Sequence, residues 1–427
     1  MQRMVKALIV IAALGLAVWY GVHTMASDKA ATATLARYGK SDNWLPDSPE
    51  KWKGRVDYRK LDGQLTELSL RPEMAGLAVA VVEAGELRFV RTYGVTDKST
   101  QMRVTPNTVF RWASVSKTVT GMLAATMASD GSVNLERPVA SWQTSLRLPS
   151  GAESQITLAQ LLAHQTGLTK NAYDEQLEDG KSPGLIRTGL AAAPLQCMPG
   201  TCHTYQNIAF DAATELLGKA AKRPFTDMVS ERFFLPLGMT SASYDMVGLT
   251  GAKDWARPHN GSQVRPVRDA YWRVPAAAGV QSNIVDFARW MQAAMGERPD
   301  VLTKSVLKLA QAPRVRTSSL YGGDLRQAIS DAQYGLGLRS FTYAGHRLVG
   351  HSGAVEGYRA TMIFEPGTRN GVVAMWNSDS GKPFRIPFAV FDSYDKRLDT
   401  NWLDIDNATL SPLERASRQA KISVPPA

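Results

Sequence analysis

Phe110-Arg111-Trp112-Ala113-Ser114-Val115-Ser116-Lys117, running on into Thr118-Val119-Thr120-Gly121-Met122-Leu123-Ala124-Ala125, is the stretch from which the rest of the chain can be read. Pro106 closes the segment before it. The apolar content of the run and the Ala-rich turns after it predict a helix, and residues three apart on a helix share a face. The Lys117 amine can then reach the Ser114 hydroxyl. A serine hydroxyl attacks poorly unless a base takes its proton, and a charged lysine cannot do so. Burial in a first helical turn pushes a lysine toward its neutral form, by desolvation and by the positive end of the helix dipole. Spacing alone is not specific, because S-x-x-K recurs at Ser48 to Lys51, Ser305 to Lys308 and Ser393 to Lys396. Other segments must decide.

At 427 residues, 44% hydrophobic and 21% charged, the chain has the composition of a soluble globular protein able to bury a large core. Its amino terminus differs. Arg3 and Lys6 precede an apolar run over residues 7–22, and Thr24-Met25-Ala26 supplies small residues for cleavage, so residues 1–26 read as a signal peptide. Left uncut, the same run is nearly long enough to span a bilayer and would attach the protein to the membrane. Both readings export the remainder, to the periplasm or to a membrane-anchored position outside the cytoplasm. Cys197 and Cys202 flank a Pro199-Gly200 turn, and in an exported protein such a pair reads as a disulfide. The six histidines are scattered and form no H-E-x-x-H, so neither a metal nor a cofactor is expected. The net charge of +10 comes from dispersed Lys and Arg with no basic run interleaved with aromatics, which argues against a nucleic-acid partner.

Residues 27–55 are polar, carry Pro46 and Pro49, and read as a tether. A helix is expected over 58–70, then strands over 74–82 and 86–94 with Gly85 as their turn. From about 118 to 295 the pattern is mainly helical, with helices over 118–129, 158–165, 209–221, 225–234 and 284–295. Two irregular stretches interrupt it, 169–194, read as a mobile loop with a short helix, and 250–273. Strands return at 348–351, 359–364 and 371–376, followed by a helix over 384–394. This order implies an α+β domain over 56–410, in which first and last strands build one antiparallel sheet flanked by helices, with a helical subdomain inserted. The tail, 411–427, is expected to be disordered.

Two further motifs lie downstream of Ser114. Thr204-Tyr205-Gln206-Asn207 contains the only Y-x-N of the chain and precedes a predicted helix. Its phenol can carry a proton and its amide can clamp a substrate, whereas taken alone the pair reads as a core tyrosine and a turn asparagine. Gly350-His351-Ser352-Gly353-Ala354 ends a predicted strand, and Gly353 would let an extended acyl chain approach the strand edge.

Taken together and in this order, Ser114 to Lys117, Tyr205 to Asn207 and His351 to Gly353 resemble the S-x-x-K, Y-x-N and K/H-x-G elements of the class C β-lactamase and D-Ala-D-Ala carboxypeptidase superfamily of penicillin-binding protein-like serine hydrolases. Leu161-Leu162-Ala163-His164-Gln165-Thr166-Gly167-Leu168, Pro236-Leu237-Gly238-Met239-Thr240 and Ala278-Gly279-Val280-Gln281-Ser282 extend the likeness over about residues 60–395. Ser41-Asp42-Asn43, which looks like an S-D-N element, lies before the serine and out of order. The resemblance implies a β-lactamase/transpeptidase-like fold with Ser114 as acylated nucleophile. Lys117 and Tyr205 would share the proton transfers, and Asn207, His351, Ser352, Gly353 and Ala354 would bind substrate. The oxyanion hole would be the N–H groups of Ser114 and Ala354, and His164 would be structural. The substrate would be a small ester, peptide or β-lactam.

His351 stands where β-lactamases of class C carry lysine, and a histidine is mostly neutral near pH 7. It either reads a substrate carboxylate when protonated or, neutral, packs on the strand or bonds Tyr205. A neutral residue there argues against an efficient β-lactamase, and the H-x-G form, which occurs in peptidases and esterases of that superfamily, makes the resemblance imply a D-amino-acid peptidase or a carboxylesterase without deciding between those two. A penicillin-binding or ligand-sensing module that acylates without turnover is the alternative from another class.

Overall fold

The computed structural model describes residues 45–318, 321–397 and 400–405. The expected signal peptide or anchor, the tether up to residue 44 and the tail lie outside the described residues. Nine strands form one sheet: β1 (Gly76–Glu83), β2 (Glu86–Asp97), β3 (Met102–Arg103), β4 (Val315–Arg316), β5 (Ile329–Tyr334), β6 (Arg339–Tyr343), β7 (His346–Val355), β8 (Tyr358–Glu365) and β9 (Asn370–Trp376). Their order across the sheet is β3-β2-β1-β9-β8-β7-β6-β5-β4. Every neighbouring pair is antiparallel. The first and last parts of the chain meet at the β1–β9 pair, in register from Leu77 opposite Trp376 to Val82 opposite Gly371.

Four helices position the rest: α1 (Tyr58–Ser69), α2 (Ser116–Ser129), α3 (Ile284–Met295) and α4 (Ile386–Tyr394). Strand β1 is buried at every position, and apolar up to Val82, because both faces of the sheet are covered. Its side chains alternate between two cores. Leu77, Val79 and Val81 join Leu61, Leu65 and Leu68 of α1 with Ile386 and Val390 of α4 on one face. Ala78, Ala80 and Val82 join α3 and the helical insertion on the other. Asn283 caps α3 by accepting from the Asp286 N–H at 2.9 Å, and Gly296 ends it in a left-handed conformation.

Helix α2 is buried on nearly all sides, which explains its apolar composition. Three of its hydroxyls donate to backbone carbonyls. Ser116 Oγ donates to Ala113 O at 2.7 Å, Thr118 Oγ1 to Val115 O at 2.8 Å, and Thr120 Oγ1 to Ala276 O at 2.7 Å. A Cβ on Gly121 would fall 1.7 Å from Leu336 O, so only glycine lets this helix lie against the turn between β5 and β6.

The structure departs from the sequence reading in several places. Residues 45–55 are packed rather than a free tether: Leu45 is buried, Pro46 O accepts from Val90 N at 2.9 Å, and Arg55 N donates to Glu83 at 2.9 Å. Residues 169–194 hold two short helices, Asp174–Glu178 and Pro183–Gly189, rather than a mobile loop, because Leu177, Ile186 and Leu190 anchor them in the core. The helix expected over 158–165 stops at Leu162, since His164 takes a left-handed φ of 59°. Strands β5 and β6 and the helix Lys304–Gln311 had no counterpart in the sequence reading.

Candidate active site

Ser114 lies in a tight 3-10 turn, Ala113–Val115, that leads into α2. Ala113 holds a φ of 49°, a left-handed conformation that costs an alanine energy and recurs where a nucleophile is presented. The turn is pinned from both sides. Trp112 N donates to Val280 O at 2.9 Å, Trp112 Nε1 to Ser282 Oγ at 2.9 Å, and Val280 N to Ser116 Oγ at 2.9 Å. The segment 278–282 thus braces the Ser114 turn.

Strand β7 presses on the same turn. A Cβ on Gly353 would sit 2.3 Å from Trp112 O and 2.8 Å from Ser114 N, so glycine is required for the approach. The β6–β7 ladder ends where Arg339 faces Gly350, while β8 continues to pair with β7 as far as Val355. From His351 to Val355 the strand therefore has one open edge beside Ser114. Ala354 is exposed there.

In the first turn of α2, Lys117 is wholly buried. Its Nζ donates to Asn207 Oδ1 at 2.7 Å and to Ala277 O at 3.0 Å, and it lies 4.7 Å from the centre of the Tyr205 ring. Burial pushes its ammonium down to about 7, against the pull of Asp174 and Asp211 and with some help from Arg339. The Tyr205 hydroxyl is hydrogen-bonded with Ser114, and desolvation holds the phenol protonated, above its ordinary range. Asn207 in turn donates through Nδ2 to Asp174 Oδ2 at 2.7 Å. Burial raises the Asp174 carboxyl to about 6.

The imidazole of His351 is enclosed on both sides. Gln206 N–H donates to His164 Nδ1 at 3.2 Å, which leaves the His164 proton on Nε2, facing the Tyr334 hydroxyl at 3.2 Å. The Tyr334 hydroxyl then donates to His351 Nε2 at 2.9 Å, and His351 Nδ1–H donates to Ser352 O at 2.7 Å. Both ring nitrogens are occupied. Burial, with Arg339 and Lys117 nearby, holds His351 well below the ordinary histidine range, so it is neutral. Its partner is Tyr334, not Tyr205.

The cation of this region is Arg339, on β6. Its guanidinium lies 5.7 Å from the Tyr205 ring centre and 5.1 Å from that of Tyr334, and among the described residues no carboxylate pairs with it. Ser352 Oγ shares a hydrogen bond with Thr361 Oγ1 at 3.0 Å. The structure thus brings Ser114, Lys117, Tyr205 and Asn207 together, with Gly353 against the Ser114 turn, His351 beside them and Ala354 on the open strand edge, whereas the Ser352 hydroxyl turns to Thr361; Asp174, Tyr334 and Arg339 join the group. A lone arginine after the glycine-broken run Tyr334-Gly335-Leu336-Gly337-Leu338 was the only signal for the last two.

Cys197 and Cys202 form a disulfide with Cα atoms 6.4 Å apart. Its loop is tied to the site, since Gly200 N donates to Gln165 O at 2.7 Å and Thr204 N to His164 O at 2.8 Å. Among the described residues no group of three or more His, Cys, Asp or Glu side chains is arranged to hold a metal ion.

A long antiparallel sheet flanked by helices, with a helical insertion carrying a serine at the start of a buried helix, defines the class of β-lactamase and penicillin-binding protein-like hydrolases. The octameric penicillin-binding protein homologue from Pyrococcus abyssi superposes with a TM-score of 0.72 at 20% identity, over 81% of this chain and 79% of that one. The Beta-lactamase family model matches residues 61–389, and the chain belongs to that family. It is 28% identical to a D-aminopeptidase of Brucella anthropi, over 80% of this chain and 66% of that protein. An unguisins hydrolase of Aspergillus campestris is 23% identical, over 82% and 67%. Protein flp of Staphylococcus aureus is also 23% identical, over 71% and 60%. The chain spans about two thirds of the length of these relatives. The family's hydrolases are capable of acyl-enzyme chemistry.

Proposed function

We propose that the protein is an exported serine hydrolase that acylates Ser114 and turns over short peptides of D-amino acids, or related amides and esters, with a carboxylate on the leaving-group side. The observation that carries this reading is the convergence of Ser114, Lys117, Tyr205 and Asn207 beside Arg339, with which no carboxylate among the described residues pairs. Two N–H bonds of the Lys117 amine are committed to Asn207 and Ala277, which leaves one position, the lone pair of the neutral amine, to take the Ser114 proton. The Ser114 oxygen bonds the substrate carbonyl carbon, the N–H groups of Ser114 and Ala354 receive the developing negative charge, and Tyr205 passes the proton to the departing amine or alkoxide as its bond to carbon breaks. Once that transfer has left the Lys117 amine neutral again, it takes a proton from water as the water oxygen bonds the acyl carbon; the bond from carbon to the Ser114 oxygen breaks, that oxygen takes the proton back, and the acid departs.

Asn207 and the open edge of β7 hold the substrate amide. Arg339, beside Tyr205, supplies the positive charge that neutral His351 does not. The likeness to a D-aminopeptidase supports a peptide substrate. The Cys197–Cys202 bond supports an oxidising compartment outside the cytoplasm. Among the described residues no helix is long and apolar enough to cross a membrane.

Intact-mass detection of adducts with esters, D-amino-acid peptides and penicillins tests the nucleophile. Adducts are expected on the wild-type protein and none on Ser114→Ala, and retention of an adduct by that variant rejects the assignment. Many turnovers of a chromogenic ester are expected, whereas a single stoichiometric burst would favour the sensing module. For a matched pair of substrates with and without a carboxylate, Arg339→Gln should raise KM about tenfold for the carboxylate-bearing one, the loss of a partly solvated charge-assisted contact. An equal effect on both substrates would remove Arg339 from carboxylate recognition.

A further inference from the structure

The short helix Asp174–Glu178 places one carboxylate behind the catalytic cleft, where the reaction steps described above make no use of it. Asp174 is buried, its Oδ2 accepts from Asn207 Nδ2 at 2.7 Å, and its Oδ1 is buried with no hydrogen-bond partner. Beyond Asn207, the same amide accepts from Lys117 Nζ at 2.7 Å through Oδ1. The carboxylate, amide and amine thus form one line leading to Ser114.

A primary amide has an oxygen end and an N–H end, and it can be turned over by half a rotation at little cost. What keeps its oxygen toward the lysine is an acceptor on the other side. We propose that Asp174 is a positioning residue for acylation, and that its ionised carboxylate holds the Asn207 amide so that the carbonyl faces Lys117 and one N–H remains for the substrate. Protonated, Asp174 becomes a donor able to bond the Asn207 oxygen, and the amide then turns its N–H side to Lys117. That removes an acceptor from the lysine and misplaces the substrate clamp.

The charged and titratable groups around the pair come from every neighbouring element. Desolvation favours the protonated form of Asp174, and Glu178 and Glu175 on its own helix add to this. Lys117 on α2 opposes them. Tyr271, from the turn Ala270–Trp272, donates to Glu178 Oε1 at 2.7 Å and stays protonated. Lys117 faces Asp174, Asp211 and Arg339, while Tyr205, His164 and His351 are neutral. Asp174, raised to about 6, and Lys117, lowered to about 7, therefore titrate as a coupled pair inside the working range.

This inference rests on Ser114 as the acylated nucleophile, and a single pH series on the full chain tests both. The acylation rate constant is read by intact mass, and kcat/KM with a chromogenic ester, across the acid and neutral range. In the wild type the logarithm of kcat/KM should climb with a slope near two below about pH 6 and near one from there to about pH 7, as Asp174 and then Lys117 lose their protons. Asp174→Asn should give a slope of one throughout. Its acid limb should move down by roughly one pH unit, because the charge that favours the ammonium is gone, and its plateau should fall about tenfold.

Asp174→Leu, which can orient nothing, should fall further, with circular dichroism and a closed disulfide confirming that both variants are folded. The wild-type slope needs no variant. A wild-type slope of one, or superimposable profiles for wild type and Asp174→Asn, overturns the role of Asp174 while leaving Ser114 as nucleophile. Absence of any Ser114 adduct in the wild type overturns both.

Discussion

In the proposed mechanism the base is Lys117, and its burial has a measurable sign. With its ammonium lowered to about 7, the neutral base is the minor form below that pH and the major form above it, so activity rises through neutrality. Lys117→Met should cut kcat by roughly two to four orders of magnitude, the range of a lost general base, with substrate still bound. Equal kcat in that variant would place the base elsewhere. His351 is expected to leave no mark on the profile, since it stays neutral and hydrogen-bonded to Tyr334. His351→Lys would bury an ammonium beside Arg339 and Lys117, and should weaken rather than improve the site. The residues legible in the sequence are those whose chemistry demands close spacing along the chain, Ser114 with Lys117 and Tyr205 with Asn207. Asp174, Tyr334 and Arg339 were not legible, because each reaches the cleft through tertiary packing. Arg339 arrives by its register opposite Gly350, and no local pattern encodes that pairing.

Among the elements, strands buried on both faces were read from their apolar runs, and β1, β8 and β9 are of that kind. Strand β5 was missed for the opposite reason. Ser330 and Asp331 are exposed, and Asp331 takes a φ of 49°, which breaks the alternation that marks a strand. Two strands from β5 in the sheet, His346 opens β7 between two acids, with Nδ1 2.9 Å from Glu365 on β8 and Nε2 2.6 Å from Asp395 just past α4. These two hydrogen-bonded carboxylates raise its imidazole above the ordinary value, outweighing desolvation. A group raised in the folded state adds stability that is complete below its unfolded pKa and is lost as pH climbs through the folded one. His346→Gln should therefore lower Tm by about 2 °C at pH 5.5, where both states of the wild type carry the proton, and by much less at pH 9. An equal drop at both pH values would show that the ring acts by packing alone.

The whole molecule is closed by segments from opposite ends of the chain, and this was legible as an order of strands, helices, strands and helix. Less legible was the lead-in. Its prolines and polar residues suggested a tether, yet Leu45, Val56 and Tyr58 are buried, and Asp57 N donates to Ser393 Oγ of α4 at 3.0 Å. The buried carboxylate of Glu83, at the end of β1, depends on this segment, accepting from Arg55 N at 2.9 Å, Val56 N at 3.3 Å and the Tyr58 hydroxyl. A protein starting at Asp57 loses the two backbone donors and leaves that carboxylate short of partners, a cost of about 1–3 kcal/mol before the lost packing of Leu45 and Val56 is added. Because β1 is paired with β9 and covered by α3 from the insertion, the loss should spread through the sheet and the helical part alike. The truncated protein should unfold in urea at a lower midpoint, with circular dichroism, tryptophan fluorescence and ester hydrolysis falling together. A midpoint unchanged from the full chain would restore the tether reading. Hydrolysis lost well before the dichroism signal would show that the helical insertion comes apart from the sheet instead of sharing its stability.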